Sequence, residues 1–425
     1  MRARTATSRG SGARRPPWRR RTGERPLRVA MVGQKGAPAT FGGIEHHVEE
    51  LGARLAERGV DVTVYCRRSY AADVPSTHRG MRLVVTPTVA SKHLDAIVHS
   101  ITSTVHAVVR GADIVHYHAP GPGLAAPLAR YLSRSRVVLT IHGLDHERAK
   151  WAGLAQRVLG LAYWMSGHVP DAVVTVSRAL AERYRADFDR AATYIPNGVA
   201  EASPGEPLGR LATELGLEPG RYVLFVGRMV PEKRPDLLVE AATMLPEGVR
   251  MVVVGDSSFS DDYVAGLRAA AEKDERVVLP GYLYGREKSA VYANAAVYVQ
   301  PSDVEGLPLT LLEALSYGVP VVASDIPPHL EVLSNCRCGA HRTFPAGDAA
   351  ALGRELAGVL GVVAQDPEPV AVDAAALLAP YDWDVATDEL LALYRRLEGP
   401  GGPSGSVTTP DDDGADPMRA HPVVG

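Results

Sequence analysis

Two successive series of short apolar segments, each segment followed by a loop and an amphipathic stretch, constrain the fold of this chain more than any other feature. The segments are rich in valine and other residues that favour buried strands. They occupy residues 27–32, 60–66, 81–87, 114–118, 136–142 and 172–176 in the first series and 222–226, 250–254, 277–281 and 296–300 in the second. Strands that alternate with helices in this way predict doubly wound parallel sheets.

The sequence between the two series predicts a domain boundary. Residues 201–220 are rich in proline, glycine and glutamate, as connections between domains often are. A chain of 425 residues is also too long for one ordinary hydrophobic core. We therefore predict an α/β protein with a first domain over residues 27–200, a second over 201–383 and a closing helix over 384–398.

Composition excludes several classes of protein. No run of 18 apolar residues offers a membrane span. The three cysteines, Cys66, Cys336 and Cys338, argue against a disulfide framework and for a reducing, cytoplasmic compartment. Cys336 and Cys338 lie near His341, but no second ligand pair at zinc-finger spacing accompanies them. We expect free thiols there.

Both ends of the chain are predicted to be disordered. Residues 1–26 form an arm with nine arginines and one acidic residue, Glu24, and they lack the apolar segment of a secretion signal. Such an arm could contact anionic lipid or nucleic acid. We favour the alternative that it is an extension without a function, and we expect no nucleic-acid partner. Residues 399–425 are rich in glycine, proline, serine and aspartate and are expected to be a disordered tail.

A glycine-rich loop follows the first predicted strand. Residues 33–43 contain four glycines, among them Gly42 and Gly43, and a helix is predicted over residues 44–58. Backbone amides in such a loop can approach a phosphate or a sugar without a Cβ in the way. The alternative is that the glycines serve only a tight turn. The pattern is neither a dinucleotide fingerprint nor a P-loop.

The stretch from Pro301 to Pro320 places Glu305 and Glu313 eight positions apart across a junction between a loop and a helix. The preceding strand ends near residue 300, and Pro308 predicts the start of a helix over residues 309–317. Free amides at this helix start can bind an anion, and the two carboxylates can accept hydrogen bonds from hydroxyl groups. The spacing alone is a weak signal, because a polar loop before an amphipathic helix would look the same.

Cations and histidines supply the other candidate site residues. Arg228 and Lys233 lie next to the predicted start of a helix at residue 236, where they suit a diphosphate. His116, His118 and His142 lie at or near predicted strand ends, the edge of a doubly wound sheet at which ligands bind. A histidine in that position is more often a hydrogen-bonded part of the scaffold than a catalyst.

Taken together, these motifs resemble those of the family 4 glycosyltransferases, which are retaining enzymes with the GT-B fold. The likeness extends over residues 27–397 and includes the flanks Pro301-Ser302 and Gly318-Val319-Pro320, the block from Gly227 to Lys233, and the turn around Asn197. The resemblance implies two Rossmann-like doubly wound domains that face each other across a cleft. It also implies that the closing helix packs back toward the first domain.

The resemblance also assigns roles to individual residues. His142 would stabilise the transferring sugar, Arg228 and Lys233 would bind the pyrophosphate, and Glu313 would bind the ribose. Gly42 and Gly43 would lie against the donor diphosphate and near the acceptor. The donor sugar would be held by the following residues of one loop: Glu305, Gly306, Leu307, Pro308 and Leu309.

The function implied is transfer of a sugar from a nucleotide-sugar donor, a UDP- or GDP-sugar, to a sugar, lipid-linked or small-molecule acceptor, with retention of configuration. The product would belong to polysaccharide, glycolipid or other glycoconjugate biosynthesis. A sugar-nucleotide epimerase of the same fold is an alternative, and an NADP-dependent oxidoreductase is a weaker one.

No cofactor and no metal are expected. Two Asp-x-Asp sequences resemble metal sites, but Asp187 is expected to pair with nearby arginines and Asp384 to cap the last helix. Residues 143–168 alternate basic and aromatic side chains at helical spacing. Such a helix either lies on an anionic membrane, at the inner face of the plasma membrane, or simply covers the sheet.

Overall fold

The computed structural model describes residues 25–40, 42–68, 70, 74–89, 95–144, 154–203, 205–256, 261–334, 336, 339–363 and 374–398. Two parallel sheets, each covered by helices, form two domains, as the alternation of apolar segments predicts. The predicted arm up to residue 24 and the predicted tail from residue 399 lie outside the described residues. So do residues 145–153 of the basic aromatic segment.

The first sheet has eight strands in the order β3-β4-β2-β1-β5-β6-β7-β8. Its strands are β1 (Arg28–Val32), β2 (Asp61–Arg67), β3 (Thr77–His78), β4 (Met81–Thr86), β5 (Ile114–His118), β6 (Arg136–Ile141), β7 (Ala172–Thr175) and β8 (Thr193–Tyr194). All neighbours are parallel except β3 and β4. β1 is central, with Val29 opposite Val62 on one side and Ile114 on the other.

Helices cover both faces of this sheet. They are α1 (Gly43–Glu57), α2 (Asp95–Val109), α3 (Pro120–Gly123), α4 (Ala126–Leu132), α5 (Leu154–His168) and α6 (Arg178–Phe188). α1 is amphipathic and buries one face, including Val48, Leu51 and Leu55, against β2 and β4.

The second sheet has six parallel strands in the order β11-β10-β9-β12-β13-β14. They are β9 (Tyr222–Val226), β10 (Arg250–Val254), β11 (Val277–Gly281), β12 (Val297–Gln300), β13 (Val321–Ser324) and β14 (Arg342–Phe344). The helices of this domain are α7 (Arg210–Leu215), α8 (Pro235–Ala242), α9 (Asp261–Ala271), α10 (Gly285–Ala293), α11 (Leu309–Ser316), α12 (Pro327–Leu333) and α13 (Ala349–Val363), and a 3₁₀ turn spans Pro231–Lys233. The strands β13 and β14 were not among the predicted segments.

The helix Trp383–Glu398, here called the crossover helix, leaves the second domain and packs on the first. Trp383, Leu390 and Tyr394 are buried in the same apolar cluster as β1 and α1. On the surface, Arg58 pairs with Asp384 and Asp388 at 2.9 and 2.6 Å.

The N-terminus of the crossover helix corrects one prediction. Asp382, not Asp384, caps the helix, because its Oδ1 accepts the N–H groups of Asp384 and Val385 at 2.6 and 2.9 Å. The helix begins one residue earlier than predicted, and Asp384 is therefore inside the first turn. The other Asp-x-Asp sequence agrees with expectation, since Asp187 pairs with Arg183 at 2.7 Å.

The remaining expectations concern the N-terminal arm, the cysteines and membrane-spanning segments. Arg25 was predicted to belong to a disordered arm, but its guanidinium donates two hydrogen bonds to Asp113 at 2.8 and 2.6 Å. Neither Cys66 nor Cys336 forms a disulfide within the described part of the chain, and Cys338 lies outside it. None of the helices in the described part of the chain has the length and apolar character that crossing a bilayer requires.

Candidate active site in the cleft between the domains

Two helix N-termini meet across the cleft, one from each domain. α1 begins at Gly43 and α11 begins at Leu309, and no side chain of the described residues caps either of them. A Cβ built on Gly43 would lie 3.6 Å from Leu309 Cδ1. The first N–H groups of a helix have no partner inside the helix and carry a partial positive charge. Both helix starts therefore offer unpaired donors to a ligand in the cleft.

Another helix in the same molecule shows what a capped start looks like. α6 has Ser177 as its N-cap, and Ser177 Oγ accepts the N–H of Leu180 at 3.4 Å. Glu331 of the second domain adds a hydrogen bond from the N–H of Arg178 at 2.9 Å. The donors at this helix start are thus occupied by protein groups, in contrast to those of α1 and α11.

The glycine-rich loop before α1 is held mainly by carboxylates and a tyrosine. The N–H of Lys35 donates to Glu45 Oε1 at 2.9 Å, and the N–H of Thr40 donates to the Tyr70 hydroxyl at 2.7 Å. Gly42 adopts φ +103°, and a Cβ there would lie 2.0 Å from Glu45 Oε2. Glycine is required at this position because both the backbone conformation and the buried carboxylate exclude a side chain. The amides at the start of α1 follow directly on this fixed loop.

The loop before α11 touches the first domain directly. A Cβ on Gly306 would lie 1.9 Å from the carbonyl oxygen of His142, so only glycine permits this approach. Pro308 has no N–H, and the amides available in this loop are therefore those of Gly306, Leu307 and Leu309. The contact brings the predicted sugar-binding loop next to the predicted catalytic histidine.

Glu305 lies at the centre of a hydrogen-bond network in the second domain. Its Oε1 accepts hydrogen bonds from Lys233 Nζ at 2.6 Å and from Gln300 Nε2 and Ser302 Oγ, both at 2.8 Å. Burial acts to raise the pKa of Glu305, but the charge and hydrogen bond of Lys233 outweigh it and hold this pKa below its ordinary value. Glu305 is therefore an ionised carboxylate with a fixed orientation.

Only one of the two carboxylate oxygens of Glu313, which lies one turn into α11, accepts a hydrogen bond from a described side chain. Its Oε1 accepts a hydrogen bond from Lys288 Nζ at 2.7 Å. Its Oε2 is buried and has no partner at hydrogen-bond distance among the described residues, although the Tyr292 hydroxyl lies close enough to the Glu313 carboxylate to interact with it. A buried acceptor without a donor is costly, so a ligand hydroxyl would find a ready partner here.

The two predicted pyrophosphate cations differ in their surroundings. Lys233 donates to Glu305 in the hydrogen bond described above, and an ammonium group has three donors, so further donors remain. Arg228 is exposed, and its guanidinium forms no hydrogen bond or ion pair with the described residues. Its charge acts to lower the pKa of Lys35, on the glycine-rich loop, although burial is the larger cause of that lowering. Arg228 is thus the cation that lies open between the domains.

Four histidines form a cluster beneath the cleft on the side of the first domain. His142 Nε2 lies 3.3 Å from His118 Nδ1, and the His118 ring is tilted by 33° against that of His116 with centroids 4.3 Å apart. His47, from α1, meets His142 edge to face at 4.5 Å. Ligand nitrogens of His47, His118 and His142 all lie within 4.8 Å of one another.

Neutral partners hold this cluster from outside. His47 Nδ1 bonds to Asn197 Oδ1 at 2.6 Å. His116 bonds to the Tyr394 hydroxyl at 2.6 Å and to Thr140 Oγ1 at 2.7 Å. His118 Nε2 lies 3.3 Å from Met31 Sδ.

No carboxylate contacts these rings among the described residues, and burial therefore decides their charge. Burial lowers the pKa of His47 to about 4 and the pKa values of His116, His118 and His142 well below their ordinary value. All four imidazoles are neutral at neutral pH.

Sequence reasoning missed several members of the site. His47 is one of the predicted α1 residues, and its spacing of four from Gly43 places it one turn into that helix. Asn197 was noted only as part of the turn between domains. Gln300 and Lys288 orient Glu305 and Glu313, yet they stand alone in the sequence without a motif. Only their position in the fold reveals these roles.

Comparisons with known proteins agree with this arrangement. The family model described as "Glycosyl transferases group 1" matches residues 213–360, and the model "Glycosyltransferase Family 4" matches residues 41–202. The D-inositol 3-phosphate glycosyltransferase of Mycolicibacterium paratuberculosis is 30% identical over 407 residues, with 87% of this chain and 90% of that protein covered. The alpha-maltose-1-phosphate synthase of Mycolicibacterium smegmatis is 28% identical over 400 residues, with 87% of this chain and 100% of that protein covered.

Solved structures show the same fold. The sucrose-phosphate synthase of Thermosynechococcus elongatus superposes with a TM-score of 0.73 at 22% identity, over 87% of this chain and 99% of that one. HepE of Anabaena, in complex with UDP-glucose, superposes with a TM-score of 0.70 at 18% identity over the same shares of the two chains.

Proposed function

The chain belongs to the group 1 glycosyltransferases and has their GT-B fold, and we propose that it moves a sugar from a nucleotide-sugar donor to an acceptor hydroxyl with retention of anomeric configuration. The observation that carries the proposal is the meeting of two uncapped helix starts, at Gly43 and Leu309, above a neutral histidine cluster. A nucleotide diphosphate is the anion that such a place suits.

The leaving diphosphate is bound by amides and cations. The amides at the starts of α1 and α11 face it from both domains, and Arg228 and Lys233 supply positive charge. Negative charge grows on the diphosphate as the bond to the sugar breaks, so donors and cations held ready for it lower the barrier. This role is supported by the exposure of Arg228 and by the remaining donors of Lys233.

The two glutamates bind different parts of the donor. Glu313 accepts a hydrogen bond from a ribose hydroxyl through Oε2, the oxygen that accepts no hydrogen bond from the described residues. Glu305, together with the amides of Gly306, Leu307 and Leu309, holds the sugar. Its ionised state and three hydrogen bonds fix it for that task.

His142 acts on the sugar itself. Its ring is neutral, lies at the floor of the cleft and is fixed by His118 and His47. A neutral imidazole stabilises the positive character that develops on the sugar better than a charged one would. Transfer requires no divalent metal, because amides and cations already meet the phosphates.

The donor is a UDP- or GDP-sugar, and a UDP-sugar is supported by the complex of HepE with UDP-glucose. The acceptor is a sugar, a lipid-linked sugar or a small molecule, as part of glycoconjugate synthesis in the cytoplasm. A lipid-linked acceptor is supported by α5, where Leu161 and Trp164 are 52% and 54% exposed and lie three positions apart on one face. Such a face can rest on a membrane surface.

The experiment that identifies the donor is a thermal-stability screen. The protein is melted with UDP, GDP, ADP and dTDP, and the nucleotide of the true donor raises Tm by mass action. The same sugar nucleotides are then incubated without acceptor. An epimerase would convert them into new sugar nucleotides, whereas a transferase binds them or hydrolyses them slowly. No shift of Tm with any nucleoside diphosphate contradicts the proposal.

Two matched substitutions test the roles of the glutamates. Glu313→Gln is expected to weaken nucleotide affinity by about 1.5–3 kcal/mol, because it replaces a charged acceptor. Glu305→Gln is expected to lower kcat more than affinity. Glu287→Gln is the control, since Glu287 pairs with Arg210 on an exposed face. Equal affinity of wild type and Glu313→Gln would remove the ribose assignment.

A further inference from the structure

Three of the clustered imidazoles surround one point, and the outer hydrogen bonds of two of them, His47 and His118, leave an unprotonated nitrogen facing it. Asn197 Oδ1 can only accept, so the proton of His47 is on Nδ1 and its Nε2 carries a lone pair. That Nε2 is buried and has no partner among the described residues. His47 itself is 1% exposed.

The same argument applies to the second ring. The thioether of Met31 is a weak acceptor, so His118 donates from Nε2 and keeps a lone pair on Nδ1. This nitrogen faces His142 Nε2 at 3.3 Å. His118 Nδ1 therefore accepts a hydrogen bond from His142 Nε2, and an ion takes the place of that proton when His142 carries its proton on Nδ1 instead. His142 is half-buried, so its other nitrogen can keep a proton toward the cleft.

We propose that His47, His118 and His142 bind a divalent transition-metal ion of the Zn²⁺ class, and that the bound ion inhibits sugar transfer. In a tetrahedral site with Zn–N bonds of about 2.0–2.1 Å, neighbouring ligand atoms lie about 3.3–3.4 Å apart. The pair His118–His142 already has this separation, and all three nitrogens lie within 4.8 Å of one another. The wider pairs, up to 4.8 Å apart, have to shorten by at most about 1.4 Å to reach it.

The surroundings favour this class of ion over Mg²⁺ or Ca²⁺. Neutral imidazole suits Zn²⁺, Ni²⁺, Cu²⁺ and Co²⁺, whereas the hard cations prefer oxygen ligands. Asn197 Oδ1 accepts from the outer nitrogen of His47, the role that a carbonyl or carboxylate oxygen commonly plays for a metal-binding histidine, and Met31 Sδ is a weaker partner of His118. The cleft side of His142 is the route of entry and leaves the fourth position open.

The inhibitory part of the inference rests on the function proposed for His142, whereas the metal site does not. An ion coordinated to Nε2 places a positive charge beside the position where the sugar becomes positive. It also fixes the ring of His142 toward the interior. Zn²⁺ therefore opposes the reaction, and a chelator restores it.

The test uses untagged full-length protein that has been freed of metal with a chelator. Titration with Co²⁺ is expected to give the intense visible d–d bands of a tetrahedral ion at one equivalent, and Zn²⁺ abolishes them. His47→Gln removes a ligand. Loss of a residue that only hydrogen-bonds to a metal ligand lowers affinity about 10- to 100-fold, so we expect the Co²⁺ affinity of His47→Gln to fall by at least this much. His168→Gln, which removes an exposed imidazole, leaves the affinity unchanged.

Anomalous scattering from a Zn²⁺-soaked crystal of the wild type locates the ion without any substitution. A peak between His47, His118 and His142 supports the site even if His47→Gln does not fold. No tetrahedral bands, no peak at this point, or equal affinity of His47→Gln and His168→Gln would each overturn it. Binding without inhibition of transfer would leave the metal site standing and remove the role given to His142.

Discussion

The two walls of the cleft use opposite electrostatic designs. On the wall of the first domain, neutral imidazoles are held by neutral groups, such as Asn197 and the Tyr394 hydroxyl. On the wall of the second domain, carboxylates are held by cations, in the pairs Lys233–Glu305 at 2.6 Å and Lys288–Glu313 at 2.7 Å. Both walls hold their side chains in fixed positions. The first domain does so with hydrogen bonds between neutral groups, and the second domain does so with ion pairs.

The difference shows which kind of perturbation each wall resists. Removing one hydrogen bond from a neutral network costs about 1–3 kcal/mol where it leaves a buried group unsatisfied, and such a network cannot accept a proton without further cost. A charged pair is insensitive to mild acid, because the pKa of Glu305 lies below its ordinary value. It fails instead when one partner is removed and the other charge stays buried.

The largest expected effect is therefore the loss of Lys233. Lys233→Met leaves Glu305, whose side chain is 12% exposed, without its cation. We expect a loss of about 3 kcal/mol in the free energy of unfolding of the second domain, measured by urea titration. The double variant Lys233→Met/Glu305→Gln should recover much of this loss, because no charge is then left unpaired.

Lys288→Met is the matched control for that substitution. The Lys288–Glu313 pair is more exposed, with side chains 36% and 23% accessible, and its loss should cost only about 1 kcal/mol. If Lys233→Met costs no more than Lys288→Met, the charged wall does not depend on burial in the way described.

Acid should weaken the neutral wall first. The pKa of His47 is lowered by burial to about 4, so between pH 6.5 and 4 the unfolded chain binds a proton that the folded chain does not. Stability therefore falls as pH falls through this window, by on the order of 2 kcal/mol at pH 5 for His47 alone. Lowered pKa values of His116, His118 and His142 act in the same direction.

Tryptophan fluorescence can follow this loss in one domain. The sequence has no tryptophan between residues 201 and 382, whereas Trp164 and Trp383 belong to the first domain and the crossover helix. The urea midpoint seen by fluorescence should fall between pH 7.5 and 5. A midpoint that does not change with pH would show that the cluster is not held neutral.

A smaller effect is expected from a single neutral hydrogen bond. Tyr394→Phe removes the hydroxyl that bonds to His116 at 2.6 Å and leaves the ring in place. The free energy of unfolding should fall by about 1 kcal/mol, measured by urea titration at pH 7.5. A loss as large as that of Lys233→Met would contradict the contrast between the walls.

The smallest effect is expected from metal removal. EDTA should leave transfer unchanged or slightly raised, since amides and cations are proposed to meet the donor phosphates. Asp187→Ala removes the pairing with Arg183 and a hydrogen bond from the Tyr163 hydroxyl, so we expect unchanged activity and a loss of about 1 kcal/mol in the free energy of unfolding. Activity that EDTA abolishes and Mn²⁺ restores would overturn the phosphate role of Arg228 and Lys233.

The sequence predicted the secondary-structure elements better than the side-chain contacts of the site residues. Glu305 and Glu313 could be placed on a loop and a helix because Pro308 and the apolar run before residue 300 mark the junction. The pairing of Lys233 with Glu305 joins residues 72 positions apart, which no local pattern encodes. His47 was missed for the same reason, since its partners come from β5, β6 and the turn at Asn197.

The N-cap of the crossover helix shows a further limit of prediction from sequence. Asp382 and Asp384 are two residues apart and either could begin a helix. The choice is made by Trp383, which is 2% exposed and has to enter the apolar cluster of the first domain. Tertiary packing, and not local preference, set the first residue of this helix.

The position of the crossover helix also has a consequence for synthesis of the chain. Domains generally fold as units from the N-terminus while translation proceeds. Here the first domain has to wait, because Leu390, Tyr394 and Leu397 fill the same cluster as Leu27 and Val29. Until residue 398 has left the ribosome, that apolar surface and the ring of His116 lack their cover. The second domain is synthesised later, but it can complete its apolar core before the first domain does.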